Sequence, residues 1–172
     1  MERYHIVATG ESDGYRFEVN EAGPHDPRLL AALMELDLLT YTEPTFSRYT
    51  AAAFLRHGHV FTARADELLI GACHCMRDYN NPREVVIFNM ALRPGWRGHG
   101  LGTRFLTRIL LRLREQGVHS VVLQVAQANS RAVFVYEEKF GFERVETLEN
   151  EFGNAQVYFA MRLDLTVWQP GV

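Results

Sequence analysis

The stretch from Val85 to Gln116 limits the fold of this chain more than any other, because three backbone patterns follow one another there without a gap. Val85 to Leu92 is a mostly apolar run of strand length, and Arg93-Pro94-Gly95 must end it, since proline has no N–H to give a sheet ladder. Glycines then alternate through Arg97-Gly98-His99-Gly100-Leu101-Gly102. From Thr103 to Gln116, the residues Phe105, Leu106, Ile109, Leu110 and Leu113 recur at the one-sided spacing of a helix, and Gly117 suits its C-terminal stop. A strand that turns through glycines into a helix brings backbone N–H groups to the positive end of the helix dipole. With no Cβ in the way, such a loop can close on a diphosphate.

Two familiar phosphate motifs are excluded by spacing. No Gly-Lys-Ser/Thr follows as a P-loop requires, and the glycines stand two apart throughout, so the third glycine of G-x-G-x-x-G is missing. The acid that would hold a ribose about 20 residues later is absent too, because Val121 to Ala126 offers only Gln124 as a long polar side chain.

Charge agrees with a small anionic ligand. The chain carries 18 basic and 21 acidic residues, a net charge of −3 that argues against a protein built to grip nucleic acid or an anionic membrane. Yet from Val85 to Arg114 there is no acid, while Arg93, Arg97, Arg104, Arg108, Arg112 and Arg114 all fall there. That island points to an anionic ligand; Arg104, Arg108 and Arg112, four residues apart, also fit a solvated helix face.

The remaining sequence reads as one domain over residues 1–172. It has no low-complexity tract, repeat or Gly/Ser linker, and a chain this long buries roughly 70% of its surface without disulfide or metal. Tyr15 to Val19 alternates as a strand and pairs with Tyr4 to Ala8 across the turn at Gly10 to Gly14. Asp26 and Pro27 open a helix with Leu29, Leu30, Leu33, Leu36 and Leu39 on one face, ending before Pro44. A second helix is expected over Ser47 to Arg56, then strands at His59 to Ala65 and Leu68 to Met76 joined by Asp66-Glu67. After Gly117 come a strand at Ser120 to Ala126, a helix from Ser130 to Phe140 capped by Asn129 and stopped by Gly141, and strands at Glu143 to Thr147 and Ala155 to Leu163. The expected fold is α/β (α+β), a mixed, mostly antiparallel central sheet with helices on both faces.

Arg97-x-x-Gly100-x-Gly102 after a buried strand, followed by Asn129-x-x-Ala132, Tyr136 and Gly141-Phe142, resembles the GCN5-related N-acetyltransferase (GNAT) superfamily from about Val85 to Leu163. Within it, Phe88 to Pro94 and Leu123-Gln124-Val125 are similar to the ribosomal-protein alanine N-acetyltransferases. The resemblance implies acetyl-CoA as co-substrate. Its pyrophosphate is expected on the Arg97 to Gly102 loop, with Gly98, His99, Gly100 and Leu101, and its pantetheine beside the Val85 to Leu92 strand; Met90, Ala91, Leu92, Thr103, Asn129 and Arg131 are further cofactor-binding residues, and Tyr136 is close to the thioester sulfur. From the residues alone, Asn129 reads as a helix cap and Tyr136 as a core aromatic.

Acetyl transfer by direct attack needs a neutral amine, a donor facing the developing oxyanion and a proton for the thiolate. A backbone N–H near Met90 to Leu92 suits the second task, and Tyr136 the third. Where the resembling subfamily carries a Glu as base, this chain has Gln124, which cannot accept a proton. Glu84, Glu43 and Glu151 are the remaining bases through water, with Glu84 the catalytic candidate beside Tyr136. Tyr136 to Gly141 is also one residue longer than the family spacing, which calls for a helical bulge or a displaced tyrosine. An α-amine of pKa about 7.7 to 8.0 is roughly 10 to 15% neutral at pH 7, against less than about 0.1% for a lysine, so an N-terminal amine can react without a strong base.

Other constellations carry less. Cys73-His74-Cys75 and His57-Gly58-His59 lack metal-ligand spacing, and a strand puts Cys73 and Cys75 on one face with His74 on the other, so no metal is expected. The adjacent cysteines and the charged N-terminus suit a reducing, cytoplasmic protein that neither is secreted nor spans a membrane. Trp168 and Pro170 are placed to pack a tail on the domain or on a second copy in a homodimer. The acceptor is a protein N-terminal amine or a small amine such as an aminoglycoside, polyamine or amino acid; a non-catalytic acyl-CoA-binding domain is the rival reading.

Overall fold

The computed structural model describes residues 5–12, 15–23, 26–41 and 44–171. Eight strands and four α-helices follow along them: β1 (His5–Ser12), β2 (Tyr15–Glu21), α1 (Pro27–Thr40), α2 (Arg48–His57), β3 (His59–Ala65), β4 (Leu68–Arg77), β5 (Glu84–Leu92), α3 (Leu101–Glu115), β6 (Ser120–Ala126), α4 (Ser130–Phe134), β7 (Glu143–Glu149) and β8 (Val157–Asp164). They fall into two compact units, one reaching to Met76 and including Asn89–Ile109, the other made of Arg77–Phe88 and the chain from Leu110 onward. The expected mixed, mostly antiparallel sheet is present.

In the first unit β1, β2, β3 and β4 are antiparallel neighbours in chain order. The Arg93 N–H donates to the Ile70 carbonyl at 2.8 Å, which sets the end of β5 beside β4. Two helices cover a core built from Leu29, Leu33 and Leu36 of α1, Phe46 before α2, Phe54 of α2, and Val60, Leu69 and Ala91 of β3, β4 and β5. Both helices start where the sequence signals: the Asp26 carboxylate accepts from the N–H groups of Arg28 and Leu29, and Ser47 Oγ accepts from that of Thr50. Asp37, 4% exposed, receives the Tyr41 N–H on its carbonyl and the Thr45 N–H on Oδ2, so one buried residue fixes both sides of the connection into α2. Glu43, one of the expected bases, lies outside the described residues.

Cys73 and Cys75 stand side by side on β4 with their sulfurs 3.6 Å apart, both buried thiols, as the alternation of a strand requires. Among the described residues no helix is long and apolar enough to cross a membrane, and no group of three or more His, Cys, Asp or Glu could hold a metal ion.

In the second unit Glu84 to Ile87 of β5 pair in parallel with Ser120 to Leu123 of β6; β6 pairs antiparallel with β8, and β8 with β7. Gly117, at φ 77°, ends α3 as expected: its N–H reaches Arg114 and that of Val118 reaches Leu113, both at 3.0 Å. The C-terminal tail packs within this unit. Trp168 stacks on Phe140 at 6.4 Å, and Arg114 lies over its ring while donating to its carbonyl. The basic stripe on α3 is in large part structural, since Arg104 covers the Phe17 ring at 5.1 Å and Arg112 pairs with Glu115.

His74 sits between Phe46 and Phe54, with ring centroids 4.6 and 5.5 Å away, and neither of its nitrogens has a hydrogen-bond partner among the described residues. Burial lowers its pKa from 6.5 to about 4, against the opposing pull of Asp37. The folded protein therefore binds fewer protons here than the unfolded chain between those values. Stability from this site is complete above pH 6.5 and is lost as pH falls to about 4, by about 3 kcal/mol in all. Chemical denaturation across that range should show the loss in the wild type and a flatter profile in His74→Phe; equal slopes would contradict the assignment.

Candidate active site

The alternation of β5 decides what its end can offer. Val85, Ile87, Asn89 and Ala91 are buried, whereas Glu84, Val86, Met90 and Leu92 are half-buried and Phe88 is exposed. Because the Arg93 N–H is directed at β4, the backbone groups of Met90 and Leu92 point to the opposite edge. The carbonyls on that edge are met by side chains. Arg97 Nε donates to Leu92 at 2.9 Å, and the Tyr41 hydroxyl stands 3.3 Å from the Met90 carbonyl while donating to Asn89 Oδ1 at 2.6 Å. The N–H groups of Met90 and Leu92 lie on the same edge.

Tyr41 follows α1 directly, and 37% of the residue is exposed although its hydroxyl is turned inward. Burial, reinforced by Asp37 and partly offset by Arg97, pushes its pKa up to about 12. It is therefore a lasting donor and no base. Neither Tyr41 nor Asn89 was expected from the sequence. The signal was present in Asn89, a lone amide on the buried side of an otherwise apolar strand, which must find a partner.

After β5 the chain makes a 3₁₀ turn at Pro94–Trp96 and enters the glycine loop. Gly98 and Gly100 take positive φ, 94° and 73°, and a Cβ at Gly100 would meet nothing within 4 Å. The glycine requirement there is conformational, and the surface above it is open. α3 begins at Leu101, two residues before the expected Thr103, so Gly102 lies in its first turn, where a Cβ would come within 3.1 Å of Leu92 Cδ1. Leu101 is 1% exposed and can offer only its backbone, while Arg97, Gly98, His99 and Gly100 are exposed and Thr103 is half-buried. With no acid in its first turn, the N-terminus of α3 presents the positive end of its dipole. These residues fit the diphosphate of a nucleotide cofactor.

In the second unit the expected residues have different fates. Glu84 is held by its neighbours: Ser120 Oγ donates to its Oε2 at 2.7 Å and Arg162 pairs with the same oxygen at 2.7 Å. Gln124 is exposed on β6, opposite Ala160 of β8, and Glu151 is exposed between β7 and β8. Asn129 caps α4, its Oδ1 accepting the Ala132 N–H at 3.2 Å, and Arg131 is exposed.

Tyr136 is half-buried with its ring 5.6 Å from Phe142. The extra residue before Gly141 is taken up by a π-helical turn, Val135–Phe140. Gly141, at φ 75°, donates its N–H to the carbonyls of Glu137 and Tyr136, and the Phe142 N–H also reaches Tyr136 at 2.9 Å. The bulge foreseen from the spacing is thus real. A cavity of about 290 Å³ beside α4 is lined by Gln127, Ser130, Phe134, Arg144 and Phe159 among others, and Tyr136 is not part of its wall.

The chain as a whole is similar to known proteins. The model of the acetyltransferase (GNAT) family matches residues 28–142. The ribosomal protein bS18-alanine N-acetyltransferase of Haemophilus influenzae is 38% identical over 69 residues, 40% of this chain and 46% of the relative, so the match spans about half of that relative's length. N-alpha-acetyltransferase 50 of Danio rerio is 25% identical over 140 residues, 80% of each chain. Among solved structures, the ribosomal-protein-S18-alanine N-acetyltransferase from Escherichia coli superposes with a TM-score of 0.74 at 20% identity, covering 86% of this chain and 94% of that one. Naa50 of Arabidopsis thaliana, in complex with the bisubstrate analogue CoA-Ac-MVNAL, gives 0.70 at 20% identity, over 85% and 98%. With two thirds of its length matched by the family model and its glycine turn, helix start and tyrosine turn in the places described, the chain belongs to the acetyltransferase (GNAT) family.

Proposed function

We propose that the chain transfers the acetyl group of acetyl-CoA to a primary amine by direct attack, and that the amine is the N-terminal amine of a protein or peptide. The observation that carries the reading is the glycine turn at the head of α3, with Gly98 and Gly100 at positive φ directly after β5. In this reading the backbone of Arg97 to Thr103 holds the pyrophosphate, and the N–H groups on the Met90 to Leu92 edge receive the thioester carbonyl as it becomes anionic. The family resemblance extends the reading to Asn129 and Arg131 as cofactor contacts and to Tyr136 as the donor of a proton to the departing thiolate.

The proton on the incoming amine needs separate treatment. Gln124 has no basicity, and Glu84 would have to leave Arg162 and Ser120 before serving through water. A weakly basic acceptor removes that difficulty, because an α-amine is already partly neutral at pH 7. The relatives described above, an alanine N-acetyltransferase of a ribosomal protein and an N-alpha-acetyltransferase, support the same acceptor class. Small amines are the second reading, favoured by the carboxylates of Glu149 and Glu151, which are exposed at the end of β7 and attractive to cations. We also place the protein in the cytoplasm, a reading supported by the spacing of Cys73 and Cys75 and by the proposed substrate.

An assay of acetyl transfer across short peptides, polyamines, aminoglycosides and free lysine tests the acceptor. Peptide α-amines should be preferred, with kcat/KM half-maximal at the acceptor's own pKa of about 8 and level above it; preference for a polyamine or lysine side chain would overturn the choice. Tyr136→Phe should lower turnover about 10- to 100-fold while acetyl-CoA affinity is nearly kept. Unchanged turnover would remove Tyr136 from the reaction.

A further inference from the structure

The β5 edge that would receive the acyl carbonyl is held in place from the end of α1. Asn89 is 8% exposed on the core side of β5, where an amide is costly unless bonded, and its Oδ1 accepts the Tyr41 hydroxyl at 2.6 Å. The same hydroxyl stands 3.3 Å from the Met90 carbonyl, so one phenol touches two successive residues of the strand, one by its side chain and one by its backbone. Two residues further on, Arg97 Nε takes the Leu92 carbonyl at 2.9 Å. Tyr41 itself is anchored by its own N–H on the Asp37 carbonyl at 3.0 Å. The Met90 and Leu92 carbonyls thus lie 3.3 and 2.9 Å from side-chain polar atoms, on the edge that also carries the N–H groups of the same residues.

We propose that Tyr41 is a positioning residue for acetyl transfer, acting through Asn89 and Met90 to hold the β5 edge in the geometry that receives the thioester carbonyl. The role rests on the acetyltransferase reading above. Tyr41 is placed here as a support for the strand, and its phenol takes no part in proton transfer. A bond lost at this point lets the strand edge drift while the glycine loop and its diphosphate contacts are unaffected, so the rate should fall and the affinity should not.

Tyr41→Phe, Asn89→Ala and the double variant, measured for kcat, acetyl-CoA affinity and thermal midpoint, test this. Tyr41→Phe should lose about 5- to 30-fold in kcat with the acetyl-CoA Kd within about twofold, and the double variant should be little worse than either single one. Wild-type kcat in Tyr41→Phe, losses that multiply in full, or a fall matched by loss of folded protein would each overturn the role. Where Asn89→Ala does not fold, Tyr41→Phe alone decides. A wild-type protein that fails to bind acetyl-CoA overturns the acetyltransferase reading together with this role, whereas a wild type that binds and turns over beside an equally fast Tyr41→Phe overturns the role alone.

Discussion

Backbone groups of a strand have to be satisfied along both edges, and β5 meets that demand in two different ways. From Glu84 to Ile87 its outer edge is paired in parallel with β6. At Met90 and Leu92 the carbonyls on that edge are met by side chains instead, a phenol from the end of α1 and a guanidinium from the loop before α3. Much of the first unit serves this arrangement. The cap at Asp26 and the Leu29, Leu33 and Leu36 face seat α1, Asp37 fixes the turn at its end, and Tyr41 then lands on Asn89. On the other side Pro94 ends the strand and Gly98 and Gly100 bend the chain so that Arg97 turns back to Leu92 while α3 opens onto solvent.

The local parts of this architecture were legible in the sequence because their causes are local. Asp26 with Pro27, Ser47, Asn129, Gly117 and Gly141 each mark a helix end through a bond or a φ value that the neighbouring residues dictate. The surplus residue after Tyr136 left a helical bulge or a displaced tyrosine open, and the structure holds it in a π-helical turn closed by Gly141. Leu101 and Gly102 read as loop next to other glycines, yet α3 begins two residues before Thr103, because the burial of Leu101 makes it part of the helix's apolar face.

What the sequence concealed depends on residues far apart along it. Tyr41 and Asn89 are 48 positions apart, and nothing in the Leu39 to Pro44 stretch marks the tyrosine as a partner for a strand. Glu84 looked available as a base because its partners are Ser120 and Arg162, brought to it only by the pairing of β5, β6 and β8. The resemblance to the family supplied roles for Asn129 and Tyr136 that their local chemistry, a cap and a half-buried ring, does not distinguish from structural ones. The missing carboxylate at Gln124 is the opposite case, a feature plain in the sequence whose consequence falls on the substrate.

The central claim is that the glycine turn and the β5 edge together receive acetyl-CoA, and amide NMR during titration with acetyl-CoA tests it most directly. The account predicts that the backbone N–H signals of Met90, Leu92, Gly98, Gly100 and Gly102 move most, with those of Met90 and Leu92 less affected by a CoA analogue that lacks the acyl carbonyl. Saturable binding whose shifts avoid both segments would contradict it.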